Sequence, residues 1–321
     1  MAITDFGTTS TGQMVQKITL SNGDLTVGIL TLGAIVQSVR LQGVAHDLTL
    51  GSDDVADYQG DLRYHGSIVG PVANRITGAQ AMIAGQTHSF DANEGRNCLH
   101  SGAAGLHLKL WEIAAATDTA CTLCLTLPDG EGGFPGSRQV EARFSLQNNS
   151  LQLDITATSD AETLWNATNH SYWNLDGSRD WTGHSLQIKA EHWLPTDAET
   201  LPTGEIAPCA GSAMDFRSGC QITPGAPPLD HNFCLSDAPQ PLRDVLTLQG
   251  QTGVTLTVAT TEPGIQVYDG RGANRPGKPT YEGLAIEAQG WPDAPSQPTF
   301  PPITLPAQTP RVQSTRWTFT R

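Results

Sequence analysis

An all-β, mostly antiparallel fold is what this sequence leads one to expect, on three observations. Glycine (33) and proline (21) are frequent while charged residues make up only 16% of the chain. That mix suits many strands joined by turns better than a helical protein. Short segments alternate apolar and polar residues at the two-residue period of a strand, separated by clusters of turn formers. The third observation is the central stretch Leu164 to Leu175, Leu-Trp-Asn-Ala-Thr-Asn-His-Ser-Tyr-Trp-Asn-Leu. Read as a single strand, it puts Asn166, Thr168, His170, Tyr172 and Asn174 on one face. Trp165, Ala167, Asn169, Ser171, Trp173 and Leu175 fall on the other. The first face reads as the floor of a polar pocket, the second as an anchor in a core.

Taken in order, Gln16 to Leu20, Asp24 to Leu30 and Ala34 to Leu41 read as strands, with Ser21-Asn22-Gly23 a hairpin turn between the first two. Asp53 to Asp61 is more polar and reads as a loop or short helical turn. An apolar run then ends in Ala73-Asn74-Arg75-Ile76. Arg75 is either a site cation or an arginine at a strand end facing solvent. Asp91 to Gly102 is a loop rich in turn formers that ends with His100, and loops on a β scaffold often hold chemistry. The plainer reading of His100 is a solvent-exposed side chain. Ala120 to Leu127 reads as a strand that places Cys121 and Cys124 on opposite faces. Leu127 to Gly136, with four glycines, is a second loop, without the lysine or helix start of a phosphate cradle.

Strands resume at Arg138 to Phe144, Ser150 to Ala157 and, after the central stretch, Ser185 to Ala190. Trp193 to Asp230 is irregular and proline-rich, but Leu194, Ile206, Met214, Phe216 and Ile222 predict that it packs on the body rather than linking two domains. It leads into Asp230-His231-Asn232-Phe233, where Asp230 is either a ligand-binding carboxylate or a turn cap. Val254 to Thr260, Gly264 to Tyr268, Tyr281 to Gln289 and Val312 to Thr320 complete the strands. In Leu284-Ala-Ile-Glu-Ala-Gln289, Glu287 sits in an apolar segment beside small neighbours. Desolvation there raises a carboxyl pKa toward the range of a general base. The plainer reading is an edge-strand glutamate in solvent.

Composition removes several function classes. A net charge of −14 argues against nucleic-acid partners and anionic membranes. The N-terminus lacks a secretory pattern and no apolar run is long enough to span a bilayer. Six cysteines without framework spacing read as reduced thiols of a cytoplasmic protein. No HxH, HExxH or paired CxxC pattern points to a metal, and no GxSxG points to acyl transfer. What remains is His100, His170, Asp230, Glu287, Arg75 and Gln266, scattered along the chain. A carboxylate base with an imidazole acid is the simplest set, and it suits proton shuttling on a polyhydroxy substrate.

The same residues carry a resemblance. The ordered set Ala73-Asn74-Arg75-Ile76, Asn97-Cys98-Leu99-His100-Ser101-Gly102, Asp129-Gly130-Glu131-Gly132-Gly133-Phe134-Pro135-Gly136, Asn169-His170-Ser171-Tyr172-Trp173-Asn174-Leu175, Asp230-His231-Asn232-Phe233, Gln266-Val267-Tyr268 and Glu287-Ala288-Gln289 resembles the aldose 1-epimerases, or galactose mutarotases, over nearly the whole length. The resemblance implies one domain over residues 1–321, a large, mostly antiparallel β-sandwich of the galactose mutarotase-like supersandwich type with an open sugar cleft. It implies acid–base interconversion of the anomers of free aldoses such as D-galactose and D-glucose. Glu287 is then the base at the anomeric hydroxyl and His170 the donor to the ring oxygen. His100 and Arg75 lie near the ring oxygen and its neighbouring hydroxyls, while Asn74, Asp230 and Gln266 complete recognition.

No cofactor and no metal are implied. The expected partner is a small sugar, the expected state a monomer or weak homodimer, and the expected location the cytoplasm. Pro71, Ser101 and Asp269-Gly270 depart from the commonest family pattern and bear on the pocket rim, hence on sugar preference. Three other readings stay open: a hexose-6-phosphate 1-epimerase, which needs basic residues at the cleft mouth; a non-catalytic carbohydrate-binding protein on the same fold; and a glycosidase.

Overall fold

The computed structural model describes residues 2–321. Among the described residues, three antiparallel sheets hold most of the strand residues. A nine-stranded sheet runs in the order Glu112–Ala116, Ala120–Leu127, Arg138–Gln147, Ser150–Ser159, Arg311–Thr320, Thr255–Thr260, Arg243–Gln249, Ser185–Ile188 and Cys220–Gln221. A six-stranded sheet runs Tyr172–Trp173, Leu284–Gln289, Gly264–Tyr268, Asp230–Cys234, His192–Trp193 and Ala207–Pro208. The N-terminal meander is Ala2–Thr8, Met14–Ser21, Leu25–Leu30 and Ile35–Leu41. The fold is the large antiparallel β-sandwich expected.

One continuous core joins the sheets. Leu123, Phe144, Leu153, Leu256 and Phe319 from the nine-stranded sheet meet Phe233, Ile265, Val267, Leu284 and Ile286 from the six-stranded one, with Ile18, Val27 and Val39 of the meander against them. Trp173 binds the two larger sheets together, with its ring 6.1 Å from that of Trp317 and 5.5 Å from that of Phe319. Truncating a tryptophan buried this way generally costs about 3–5 kcal/mol. Because strand side chains alternate, burying Ile265, Val267, Leu284 and Ile286 forces Gln266, Tyr268, Ala285 and Glu287 onto the opposite face. The core therefore decides which residues are offered to the site.

Segments with clean alternation form strands close to the predicted bounds. The Asp53 to Asp61 region holds a single helical turn, Val55–Tyr58, whose Asp54 side chain accepts the Ala56 amide. Ala2–Thr8, Gln80–Ile83, Gln86–Ser89, Glu112–Ala116 and Arg243–Gln249 are strands that the sequence pattern did not show, and Asp230 opens a strand, Asp230–Cys234, rather than capping a turn. Ala2–Thr8 and Glu112–Ala116 lie at sheet edges and are mostly exposed, so neither needs a consistent apolar face. Arg243–Gln249 contains a register shift between Asp244 and Leu246 that buries Val245 and Leu246 in succession. In the proline-rich stretch Leu194, Met214, Phe216 and Ile222 are buried as expected, but Ile206 is exposed. All six cysteines are unpaired.

The central stretch departs most from expectation. It is three short strands, Thr163–Leu164, Thr168–Asn169 and Tyr172–Trp173, rather than one. They pair in turn with Thr304–Leu305, Ile68–Val69 and the residues Leu284 and Ala285. The intervening polar side chains bond the backbone. Asn166 accepts the Gly290 amide at 2.6 Å and donates to the Gly290 carbonyl at 3.3 Å. The Asn169 carbonyl accepts both the amide and hydroxyl of Ser171, and Asn174 donates to the Ser178 and Glu282 carbonyls. Such local bonds compete with a sheet ladder and break it. Of the five residues on the predicted pocket face, only His170 and Tyr172 line the cavity described below.

Gly66 links this stretch to its neighbour. Its amide donates to the His170 carbonyl, and its own carbonyl accepts from the Val36 amide and the Asn169 side chain. Its φ is +69°, and an added Cβ would stand 2.3 Å from the Val36 carbonyl oxygen. Gly66→Ala is expected to destabilise the protein by about 2–4 kcal/mol, from left-handed backbone strain plus overlap. Urea denaturation checks this; a loss below about 1 kcal/mol would contradict the packing described.

Candidate active site

The face of the six-stranded sheet turned away from the core forms the floor of a cavity of about 330 Å³, at the small end of the range for small-molecule sites. Directly opposed residues on neighbouring antiparallel strands share a face. The register puts Tyr172, Ala285, Tyr268 and Asp230 in one row, and Glu287 beside Gln266 in the next. Ala285 is the small member of its row: it is fully buried, and the rings of Tyr172 and Tyr268 meet edge-on with centroids 6.4 Å apart. The walls come from loops: Asp61 to His65 on one side, Asn74, Arg75, Glu94, Leu99 and His100 on another, and Gly272 and Ala273 above.

At the bottom, His170 Nε2 lies 3.6 Å from Glu287 Oε1, with both side chains almost fully buried. Burial pushes the Glu287 carboxyl well above its ordinary value, helped by the Asp230 charge and opposed by Arg75. Burial also lowers the His170 imidazolium to about 4. The two shifts have one cause, the loss of water from the charged form. Glu287 Oε2 and Gln266 Oε1 are buried without a hydrogen-bond partner among the described residues. Each such atom costs about 1–3 kcal/mol, and unsatisfied groups of this kind mark places where a fold keeps bonding capacity in reserve for function. Glu287 is on an inner strand, not an edge.

Of the remaining predicted residues, Asn74, Arg75, His100 and Asp230 line this cavity, while Gln266 lies beside it, against Asp230. Gln266 donates to Asp230 Oδ1 at 2.7 Å, and burial raises the Asp230 carboxyl even though Arg75 and that hydrogen bond oppose the shift. His100 is buried, not solvent-exposed. Its Nδ1 accepts the Asn74 amide at 3.1 Å, which leaves the ring proton on Nε2 as a donor. Burial, with His170, His107 and Arg75 nearby, holds His100 well below the usual imidazole range, so it stays neutral. Arg75 does not face open solvent: Glu94 grips it through two bonds, at 2.6 and 2.9 Å. Asn74 (φ 62°) and His100 (φ 50°) both occupy left-handed backbone. Such positions cost on the order of 1–3 kcal/mol and gather at functional sites. The Asn74 side-chain oxygen steadies its turn by accepting the Arg75 amide.

Several lining residues gave no usable sequence signal. Tyr64 and His65 lie in a short unpatterned segment after the helical turn, and the Tyr-His-Gly run was its only mark. Glu94 belongs to the loop that contains His100, yet its pairing with Arg75 spans 19 residues. Pro71, Ser101 and Asp269 do not line the cavity, contrary to the expectation that they shape its rim. Ser101 Oγ instead ties the His100 loop to both backbone groups of Val72. Asp269 holds Arg271 and accepts the Leu229 amide. A larger recess of about 800 Å³ lies nearby, walled by Thr49, Asp53, Arg275 and Glu282 among others. Its carboxylates have partners, Glu282 in Arg275, Asp47 in Arg40 and Asp53 in Gln37, and its histidine, His46, bonds through Nε2 to the Leu175 carbonyl. Among the described residues, no cluster of His, Cys, Asp and Glu is arranged to hold a metal ion, and no helix is long and apolar enough to cross a membrane.

Residues 16–317 match the profile of the aldose 1-epimerase family. The chain is similar to the galactose mutarotase of Bos taurus, with 34% identity over 308 residues covering 91% of this chain and 90% of that one. It is also similar to the aldose 1-epimerase of Escherichia coli K12, with 31% identity over 314 residues and 90% of each chain covered. Among solved structures, the aldose epimerase homologue from C. elegans superposes with a TM-score of 0.88 at 27% identity, covering 95% of this chain and 98% of that one. The galactose 1-epimerase from Lactobacillus acidophilus gives a TM-score of 0.85, also at 27% identity, covering 99% and 98%.

Proposed function

The chain belongs to the aldose 1-epimerase family, and we propose that it is a cofactor-independent mutarotase acting on free aldoses such as D-galactose and D-glucose. The observation that carries this reading is the buried His170–Glu287 pair, 3.6 Å apart at the floor of a hexose-sized polar cavity. A carboxylate and an imidazole so placed hold one proton between them at neutral pH, because burial disfavours both charged forms. Glu287 takes the proton of the anomeric hydroxyl while His170 gives one to the ring oxygen, and the C1–O5 bond breaks. The open-chain aldehyde then faces a protonated Glu287 and a neutral His170, the arrangement that burial favours. Rotation about C1–C2 presents the other carbonyl face. Closure returns each proton by the reverse path, giving the opposite anomer. The cycle needs no redox partner and no external base, since proton transfers alone connect the anomers.

In this reading His100 donates its Nε2–H, and Arg75 its guanidinium, to oxygens at the ring-oxygen end. Asp230, Gln266 and Asn74 bind the remaining hydroxyls. Sugar hydroxyls would satisfy the free oxygens of Gln266 and Glu287. A hexose-6-phosphate substrate is less well supported, because of the two arginines lining the cavity Arg75 is held by Glu94, which leaves Arg63 rather than a basic cluster.

Polarimetry of freshly dissolved α-D-galactose and α-D-glucose tests the proposal. The protein is expected to speed the approach to an unchanged final rotation, with glucose 6-phosphate responding more weakly. No acceleration with any free aldose would overturn the reading. Acceleration of the phosphorylated sugar alone would transfer it to the second one.

A further inference from the structure

In many catalytic sites a histidine is oriented by a hydrogen bond to its second nitrogen. Among the described residues His170 has no such support: its Nδ1 finds no partner outside its own residue. Two aromatic rings lie near-parallel to it instead. Tyr172 stacks on it with centroids 5.1 Å apart and planes 27° apart. Tyr64 stacks at 5.9 Å and 19°. His65 lies on Tyr172 at 4.2 Å and 22°, while His100 meets the His170 ring edge-on at 5.4 Å.

We propose that Tyr64 and Tyr172 are positioning residues whose rings clamp the His170 imidazole and aim its Nε2 edge at Glu287 and the bound sugar. This rests on the reading of His170 as the proton donor. The geometry follows from the backbone. Tyr172 and His170 both turn into the cavity although the strand breaks between them. Tyr172 is anchored against Leu50 and Ala285 and backed by buried His65. Tyr64 reaches His170 because the His170 amide donates to the Ser67 carbonyl and the His170 carbonyl accepts from Gly66. That docks the 64–67 segment beside the imidazole. A ring held only by its faces turns about its side-chain bonds when a face is removed. Misplacing a reacting group by about 1 Å can cost on the order of 100-fold in rate.

The test compares Tyr64→Phe, Tyr64→Leu, Tyr172→Phe and Tyr172→Leu with wild type and His170→Asn, measuring kcat and KM for galactose mutarotation. The clamp predicts kcat about 10- to 100-fold lower for the leucine variants with KM little changed. The phenylalanine variants, which keep the ring and lose the hydroxyl, should stay within about threefold of wild type in kcat. Three results would overturn it: leucine variants with wild-type kcat, phenylalanine variants as slow as the leucine ones, or a loss confined to KM. Tyr172 also belongs to a small apolar cluster, so should Tyr172→Leu fail to fold, the half-buried Tyr64 pair decides. An active His170→Asn enzyme would remove the underlying reading. An inactive His170→Asn enzyme beside a fully active Tyr64→Leu enzyme would remove the clamp alone.

Discussion

Glu287→Gln should lower kcat for galactose mutarotation by about 10³, within the range of 10²–10⁴ that a positioned acid or base contributes. KM should move by no more than a few-fold. The substitution keeps shape and the oxygen near His170 but removes the only step the carboxylate performs, taking the anomeric proton. His170→Asn should cost a similar factor. The double variant should be barely worse than either single one, because a pair that passes one proton between its members acts as a unit. Folding should survive both changes. Each deletes a buried ionisable group whose charged form burial already penalises, so thermal denaturation should show little destabilisation. A Glu287→Gln enzyme retaining a tenth or more of wild-type kcat would assign the base elsewhere, with Asp230, the other buried carboxyl of the cavity, as the first alternative.

The pH dependence of kcat/KM should be broad and displaced from the ordinary imidazole value near 6.5. The productive pair holds one proton. As pH falls through the His170 value, pushed down to about 4, the pair takes up a second proton and loses its acceptor, so activity drops. As pH rises through the Glu287 value, which burial lifts well above the usual carboxylate range, the last proton leaves and no donor remains. Activity is therefore retained between the two displaced values, and the two limbs belong to the pair rather than to either residue. The nearby imidazoles do not add a limb at neutral pH. His65 and His107 are both held down to about 3 by burial, and His100 is held low as well. An acidic limb at 6 to 7, after subtraction of the spontaneous reaction, would show that water reaches His170 and would undo the account of its burial.

How much of this was legible depended on whether the information was local. Gly264–Tyr268 and Leu284–Gln289 were readable because their core residues alternate without interruption, and the same alternation marked Glu287 as a carboxylate in apolar company. The central stretch was misread as one strand because periodicity reports which side chains alternate, not which backbone they bond. Asn166 and Asn169 look like pocket polar residues in sequence and are backbone partners in the fold. His100 and Arg75 were ambiguous for a related reason. The contacts that bury and orient them, the Asn74 amide and the Glu94 carboxylate, lie 26 and 19 residues away.

The sequence by itself thus determined the fold class, the family and the identities of the proton-transfer candidates, since strand alternation, turn chemistry and ordered motifs are all written in short windows. Only the tertiary structure decided that His170 and Glu287 stand 3.6 Å apart without bulk water, and that the rings of Tyr64 and Tyr172 lie near-parallel to the imidazole. Distance and desolvation arise from sheet register and loop docking among segments more than a hundred residues apart, and no local pattern encodes those.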